Sequence, residues 1–340
     1  MRFPLSLTTD MAGYMLKQKL RRTPRFPLVL MLEPLHACNL TCTGCGRIRE
    51  YEDTIKEKLS LDECLASVDE AGAPIVSICG GEPLIYPEIG ELARGILKRR
   101  KHIYLCTNGV FLKKKLDLFR PTSRFFFNVH LDGLEETHDI AVERKGVFKQ
   151  AVEGIVAAKK AGFLVCTNTT VYKETDMAEI DALFGYLTKL GVDGFMLSPA
   201  YGYEAVNRTN PCGANDIFMT RDDIKAKFRE ADQLLRKHKM ATSPIYLDFL
   251  KGNREDMKCA AWANPTRNVA GWKGPCYLIT DEHHETYDDL MTNTAWEDYG
   301  YGNDPRCEHC MCHVGYESAA ALGVNARLGD SLKMLMWQMS

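Results

Sequence analysis

No stretch of about 18 consecutive apolar residues occurs in this 340-residue chain, so nothing in it reads as a membrane-spanning helix. An apolar segment leading to a small-residue cleavage site is also missing near the start, and no secretory signal is expected. Neither sign of charge is in large excess. The formal net charge is -2, which gives no electrostatic footprint for a nucleic acid, and no nucleic-acid partner is expected. Internal repeats and low-complexity tracts are absent, which sets aside solenoids and linker proteins. Thirteen cysteines are present, but they are irregularly spread and partly clustered. With 45% hydrophobic residues the chain can bury a large core, and it has no need of the disulfide framework of a small secreted domain. A reducing, cytoplasmic setting with metal-binding thiols fits better.

The stretch Cys38-Asn-Leu-Thr-Cys42-Thr-Gly-Cys45 follows a short apolar run, Leu28 to Leu32. Three thiolates on one tight loop can hold three irons of a 4Fe-4S cube and leave the fourth iron open for chemistry. A zinc knuckle or three buried thiols are the alternatives. Zinc usually takes four ligands, a structural cluster takes four cysteines, and no fourth ligand lies close in sequence.

Beyond this loop, short apolar runs alternate with helical patterns. Strands are expected at 28–34, 75–79, 103–106, 125–131, 164–171 and 195–199, with helices near 61–72, 88–100, 111–119, 147–161 and 177–190. Units of this kind imply a parallel sheet with helices outside it, either an open doubly wound sheet or a partial barrel. In a parallel α/β barrel the site gathers at the C-terminal ends of the strands, and the informative residues fall there. Gly80-Gly81-Glu82-Pro83 ends the second unit, and the glycine pair lets backbone approach a ligand closely. Cys106-Thr107-Asn108-Gly109 ends the third. Asn128, His130 and Asn168 alternate with apolar neighbours on the fourth and fifth strands, so they share the barrel-facing side.

The CxxxCxxC loop, GGEP and TNG in this order resemble the radical S-adenosylmethionine (SAM) enzymes. The resemblance implies an α/β fold, a partial (β/α)6 barrel with the cluster loop after strand one. It also implies that SAM chelates the open iron and is reductively cleaved to methionine and a 5′-deoxyadenosyl radical, with a small reducing protein (flavodoxin or ferredoxin) as electron donor. Carried over residue by residue, Cys38, Cys42 and Cys45 bind the cluster; Gly80, Gly81 and Glu82 lie at the methionine amino group; Thr107 contacts SAM; and Asn128, His130 and Asn168 lie near its ribose and carboxylate. Two positions depart from the pattern: His130 stands where a serine is usual, and Gly44 stands where a large side chain usually packs on the adenine, which leaves room beside the nucleoside.

Three regions are expected: a basic amphipathic segment at 1–27, the barrel at 28–205 and a C-terminal extension at 206–340. In the first, Asp10 is a candidate helix N-cap, and Lys17, Lys19, Arg21, Arg22 and Arg25 suit either an anionic membrane surface or a solvated face of a packed helix. The extension opens with a charged helix at 221–239 and carries Cys259, Cys276, Cys307, Cys310 and Cys312. Its first two cysteines resemble the opening of the SPASM and twitch extensions, while the later three depart from that pattern, so an auxiliary iron-sulfur cluster, zinc or free thiols all stay open.

Over nearly its whole length the chain resembles the adenosylhopane synthases of hopanoid biosynthesis. That implies addition of the adenosyl radical to the terminal alkene of diploptene, a rigid triterpene, with peripheral contact at the inner face of the cell membrane. Phe125 to Phe127, Phe195, Met196, Tyr201 and Tyr203 are candidates for the apolar pocket such a substrate needs. Addition leaves a tertiary carbon radical that must gain a hydrogen atom. An S–H bond is weaker than the C–H bond formed, so a thiol is the natural donor. Cys106, at a strand end beside Thr107, is the expected catalytic residue; Cys79 lies in the SAM turn, Cys64 on an outer helix and Cys166 at mid-strand. A hydrogen-abstracting, SPASM-type peptide-modifying enzyme and a non-catalytic iron-sulfur or zinc scaffold are the other readings.

Overall fold

The structure is a computed structural model that describes residues 3–203, 206 and 217–339. Six strands, β1 (Val29–Leu32), β2 (Ile75–Ile78), β3 (His102–Thr107), β4 (Phe125–His130), β5 (Leu164–Val171) and β6 (Gly194–Pro199), pair in parallel. They lie in sequential order without a reversal. That order decides between the two expected folds. A doubly wound sheet reverses its strand order at a switch point, whereas right-handed crossovers that all step the same way leave every helix on one face. The strands therefore wind as a partial barrel.

Period-two alternation separates the two faces. Leu30, Leu32, Val76, Ile78, Ile103, Leu105, Phe125 and Phe127 belong to the core beneath the helices. The alternate positions Tyr104, Phe126 and Cys166, with Met196 against them, form a second apolar layer inside the barrel. Of the candidate pocket aromatics, Phe125, Phe127 and Phe195 are thus on the helix side, and only Phe126 and Met196 of that set share the interior layer. Three consecutive phenylalanines hide the alternation, because both faces of β4 are buried.

The helices are locally specified. Ser60 and Glu63 form a reciprocal capping box at Leu61–Ala71, which ends on Gly72 at φ 66°. Asp176 caps Met177–Lys189. The N-terminal helix runs Leu5–Leu20 from Pro4, so Asp10 is not its N-cap. Its carboxylate instead meets His102 Nε2 at 2.9 Å and Arg124 Nη1 at 2.5 Å, which fastens the helix across the N-terminal ends of β3 and β4. The charged helix at 221–239 stops earlier than expected, as Arg221–Glu230 and then Asp232–Leu235. Three further strands continue the sheet past β1: β7 (Thr266–Asn268) pairs parallel to it, then β8 (Gly271–Pro275) and β9 (Thr280–His284) follow antiparallel. The expected boundary near residue 205 lies outside the described residues. Among the described residues no helix is long and apolar enough to cross a membrane.

Candidate active site

The cluster loop leaves the end of β1 and is held from several sides. Cys45 N–H donates to Cys42 O at 3.1 Å. Arg49 Nη1 donates to Thr43 O and Cys45 O at 2.9 and 2.8 Å, and Arg144 Nη1 donates to Asn39 O at 3.2 Å. Thr41 and Thr43 hydroxyls bond the Glu143 carboxylate at 3.3 and 3.0 Å. Burial and a neighbouring thiol push Cys38 up to about 12 and raise Cys42 as well.

The GGEP turn packs directly on that loop. Gly81 N–H donates to Leu35 O at 3.2 Å and Glu82 N–H to Ala37 O at 2.9 Å. A Cβ on Gly81 would lie 2.0 Å from Ala37 O, and one on Gly80, at φ +104°, 2.5 Å from Leu35 O. No other residue fits there. Glu82 has its carboxylate turned inward. It accepts from Thr107 Oγ1 at 2.7 Å, Leu84 N–H at 2.9 Å and Asn108 N–H at 2.8 Å, and burial raises it to about 7 against those three bonds. Glu82 and Thr107, both expected at SAM, thus engage each other and join the β2 and β3 loops. Asn108 Nδ2 completes the link by donating to Asn39 Oδ1 at 2.8 Å.

Inside the barrel, Cys106 shares the face of Tyr104. Its sulfur lies 3.4 Å from Ser77 Oγ and 3.6 Å from Asn128 Nδ2, and desolvation raises it, so it keeps its proton. Asn128 Oδ1 is buried without a protein partner, an acceptor left for a ligand. His130 Nε2 meets Asp132 Oδ2 at 2.8 Å. Burial pulls the imidazole down, but Asp132 outweighs it and the net shift is upward. Asp132 is itself fixed by Thr170 N–H at 2.8 Å, and His138 Nδ1 accepts the Asp132 N–H at 3.2 Å. His130 pairs across the sheet with Asn168. Three thiols on one loop, a glycine turn against it and an orphaned acceptor facing the interior together fit a 4Fe-4S cluster with SAM. The room expected beside Gly44 is filled, because a Cβ there would lie 2.1 Å from Tyr172 Oη.

A buried ionic network, unseen in the sequence, ties the residues after Cys45 to the extension. Arg47 lies 3.6 Å from Glu33 and 3.1 Å from Glu50, and Lys273 lies 2.8 Å from Glu50. The Arg47 guanidinium also sits 4.0 Å over the Tyr277 ring. The one signal in the sequence is a glutamate, Glu33, directly after the apolar run. Beside this network opens a cavity of 1050 Å³ walled by Tyr51, Tyr201, Tyr203, Phe218, Met219 and Ile279 among others. Tyr203 connects it to the cluster loop: a Cβ on Gly46, next to Cys45, would lie 2.1 Å from the Tyr203 hydroxyl. A second cavity, of 690 Å³, brings together Cys259, Cys276, Cys307, Cys310 and Cys312, with Tyr201 lining both.

Residues 32–187 match the family model described as Radical SAM superfamily, and residues 195–334 match one described as Domain of unknown function (DUF3463). The chain is 32% identical over 170 residues to the AdoMet-dependent heme synthase of Methanosarcina barkeri, which covers 48% of this chain and 48% of that protein. It is 25% identical over 303 residues to the antilisterial bacteriocin subtilosin biosynthesis protein AlbA of Bacillus subtilis, 84% of this chain and 64% of that one. The chain thus spans about half the length of the first relative and under two thirds of the second. In structure it is similar to Streptococcus suis SuiB, with TM-score 0.63 and 16% identity over 88% of this chain and 76% of that one; at that identity the likeness concerns the fold alone. Cluster loop, glycine turn, singly wound sheet and family match agree, and they place residues 32–187 of this chain in the radical SAM superfamily.

Proposed function

We propose that this radical SAM enzyme is an adenosylhopane synthase, adding an adenosyl group to the terminal alkene of diploptene. Cys38, Cys42 and Cys45 would hold the 4Fe-4S cluster, which with SAM bound would supply a 5′-deoxyadenosyl radical. Gly80 and Gly81 would present backbone to the methionine portion, Asn128 Oδ1 would accept from the nucleoside, and His130, paired with Asp132, would face the carboxylate. Addition of C5′ to the terminal CH2 leaves a tertiary carbon radical on the triterpene. Cys106 gives it the S–H hydrogen, forming the C–H bond and a thiyl radical, which one electron from the flavodoxin or ferredoxin and one proton return to the thiol. Tyr51, Tyr203, Phe218 and Met219 offer a hydrocarbon one apolar wall in the first cavity, whose lining also carries Glu50, Asp53, Arg306 and Glu308. We place a peripheral membrane contact at Lys17, Lys19, Arg21 and Arg22, beside the exposed Leu16 and Leu20.

The observation that carries this reading is Cys106 itself, a protonated thiol on the barrel interior between Ser77 and Asn128. In D2O the exchangeable S–D should deliver one deuterium to the product. Cys106→Ala should still cleave SAM, lose that label and divert the adduct to oxidised or rearranged products; unchanged product at the wild-type rate would remove Cys106 as donor. Hydrogen abstraction from a peptide is the second reading, favoured by likeness to SuiB, one structure of which holds a precursor peptide. It predicts free 5′-deoxyadenosine in amounts that rise with a peptide substrate.

A further inference from the structure

A helix at a protein surface normally turns its charged side chains to water and its apolar ones to the body. The helix Asp330–Met339 does the reverse. Asp330 takes Arg254 Nη1 at 2.9 Å, Lys333 pairs with Asp248, and Gln338 Nε2 donates to Thr8 Oγ1 at 2.6 Å, so these polar side chains hold it to the body. On the same side Met334 packs against the core and Trp337 Nε1 donates to Met240 O at 3.2 Å. Leu332, Leu335, Met336 and Met339, at i, i+3, i+4 and i+7, turn the other way and are 53–59% exposed. Leu328, just before the helix, is fully exposed.

Phe3 and Trp337 meet edge to face at 5.5 Å, which sets this helix beside Leu5–Leu20. On that second helix Leu5, Leu16 and Leu20 fall within roughly 60° of one another about the axis, and they are 58–76% exposed. Both helices sit at the N-terminal ends of the strands, since Asp10 meets His102 and Arg124 there and Met240 bridges to Phe195 in β6. Lys17, Lys19, Arg21 and Arg22 are exposed beside the leucines. The acids of the two helices are Asp10 and Asp330, and arginines engage both. Protruding hydrocarbon and positive charge thus share one end of the barrel.

We propose that the outer faces of the helices Leu5–Leu20 and Asp330–Met339 form one docking surface for an anionic lipid bilayer. Leu328, Leu332, Leu335, Met336 and Met339 insert among the acyl chains, and the four cations meet phosphate headgroups. Charge selects this occupant. A second copy seated on the same face about a two-fold axis would set like clusters of cations against each other, whereas anionic headgroups neutralise them. Docking of this kind deepens the membrane contact placed at the basic residues and rests on it. It adds an apolar anchor that salt does not weaken, and it requires no particular substrate.

Full-length protein with its cluster reconstituted should float with vesicles of phosphatidylcholine and phosphatidylglycerol, and part of it should stay bound in high salt, where surface charges are screened. Leu332→Ser, Leu335→Ser, Met336→Ser and Met339→Ser together should keep the wild-type melting temperature, because these side chains face water. The same variant should lose the salt-resistant fraction, with partition falling about tenfold or more. Leu328→Glu, at a fully exposed position outside the helix, should weaken partition by about threefold or more. Wild-type binding in high salt by both variants would overturn the apolar anchor and leave the basic contact standing. Wild-type protein that does not float at all would remove both. A wild-type dimer that the serine variant converts to monomer, with vesicle binding unchanged, would assign the face to a second copy instead.

Discussion

His130 shows how one side chain acquires a role through its neighbour. Its ion pair with Asp132 raises its pKa despite burial, so the stabilisation is fully present below the ordinary value of about 6.5 and is lost as pH rises through the raised folded value. A charged hydrogen bond of this kind is worth roughly 1.5–3 kcal/mol. Melting temperature measured from below pH 6.5 into the alkaline range should fall more steeply for wild type than for His130→Gln; equal slopes would mean that His130 is not the group. At Asn168, flanked by threonines, alternation gave no signal, whereas between Phe127, Val129 and Leu131 the side of Asn128 and His130 was readable even though three phenylalanines hide it earlier in β4. The Asp132 partnership was not, and neither was the pairing of Arg47 with Glu33, since a buried charge announces itself in sequence only as a charge.

Among the elements, the β2 and β3 loops act as one piece because Glu82 takes donors from both. Glu82→Gln replaces an acceptor oxygen with an amide N–H2 that must face a donor, and a buried unsatisfied group costs about 1–3 kcal/mol. The urea midpoint should fall accordingly and SAM binding should weaken, with GGEP no longer braced against Asn108; a variant as stable as wild type would show the clamp to be dispensable. Strand positions were legible to within a few residues wherever apolar runs were bounded by glycine or polar turns. The strands Thr266–Asn268 and Thr280–His284 were not legible, because polar residues fill them and their place is set by the edge of β1 and by each other. The start of the N-terminal helix was missed because Asp10 has the chemistry of a cap but is engaged by His102 and Arg124 instead.

For the whole molecule, polarity runs along the barrel. The cluster loop and glycine turn stand at the C-terminal ends of the strands, while the basic helix lies across the N-terminal ends of β3 and β4, with Met11, Tyr14 and Met15 packed against the core. Lys17, Lys19, Arg21 and Arg22 therefore belong to a helix packed at the end of the barrel away from the cluster loop, and the proposed membrane contact would lie at that end. Replacing these four with glutamate should abolish flotation with anionic vesicles, and wild-type flotation should weaken with added salt as the charges are screened; unaltered flotation of the variant would rule out this contact. In an adenosylhopane synthase the adenosyl group would end on the substrate. Mass spectrometry of reactions containing SAM, dithionite and diploptene tests it most directly. An adduct of adenosyl and diploptene plus one hydrogen is expected, formed in step with methionine. Methionine matched by free 5′-deoxyadenosine, with diploptene untouched, would contradict it.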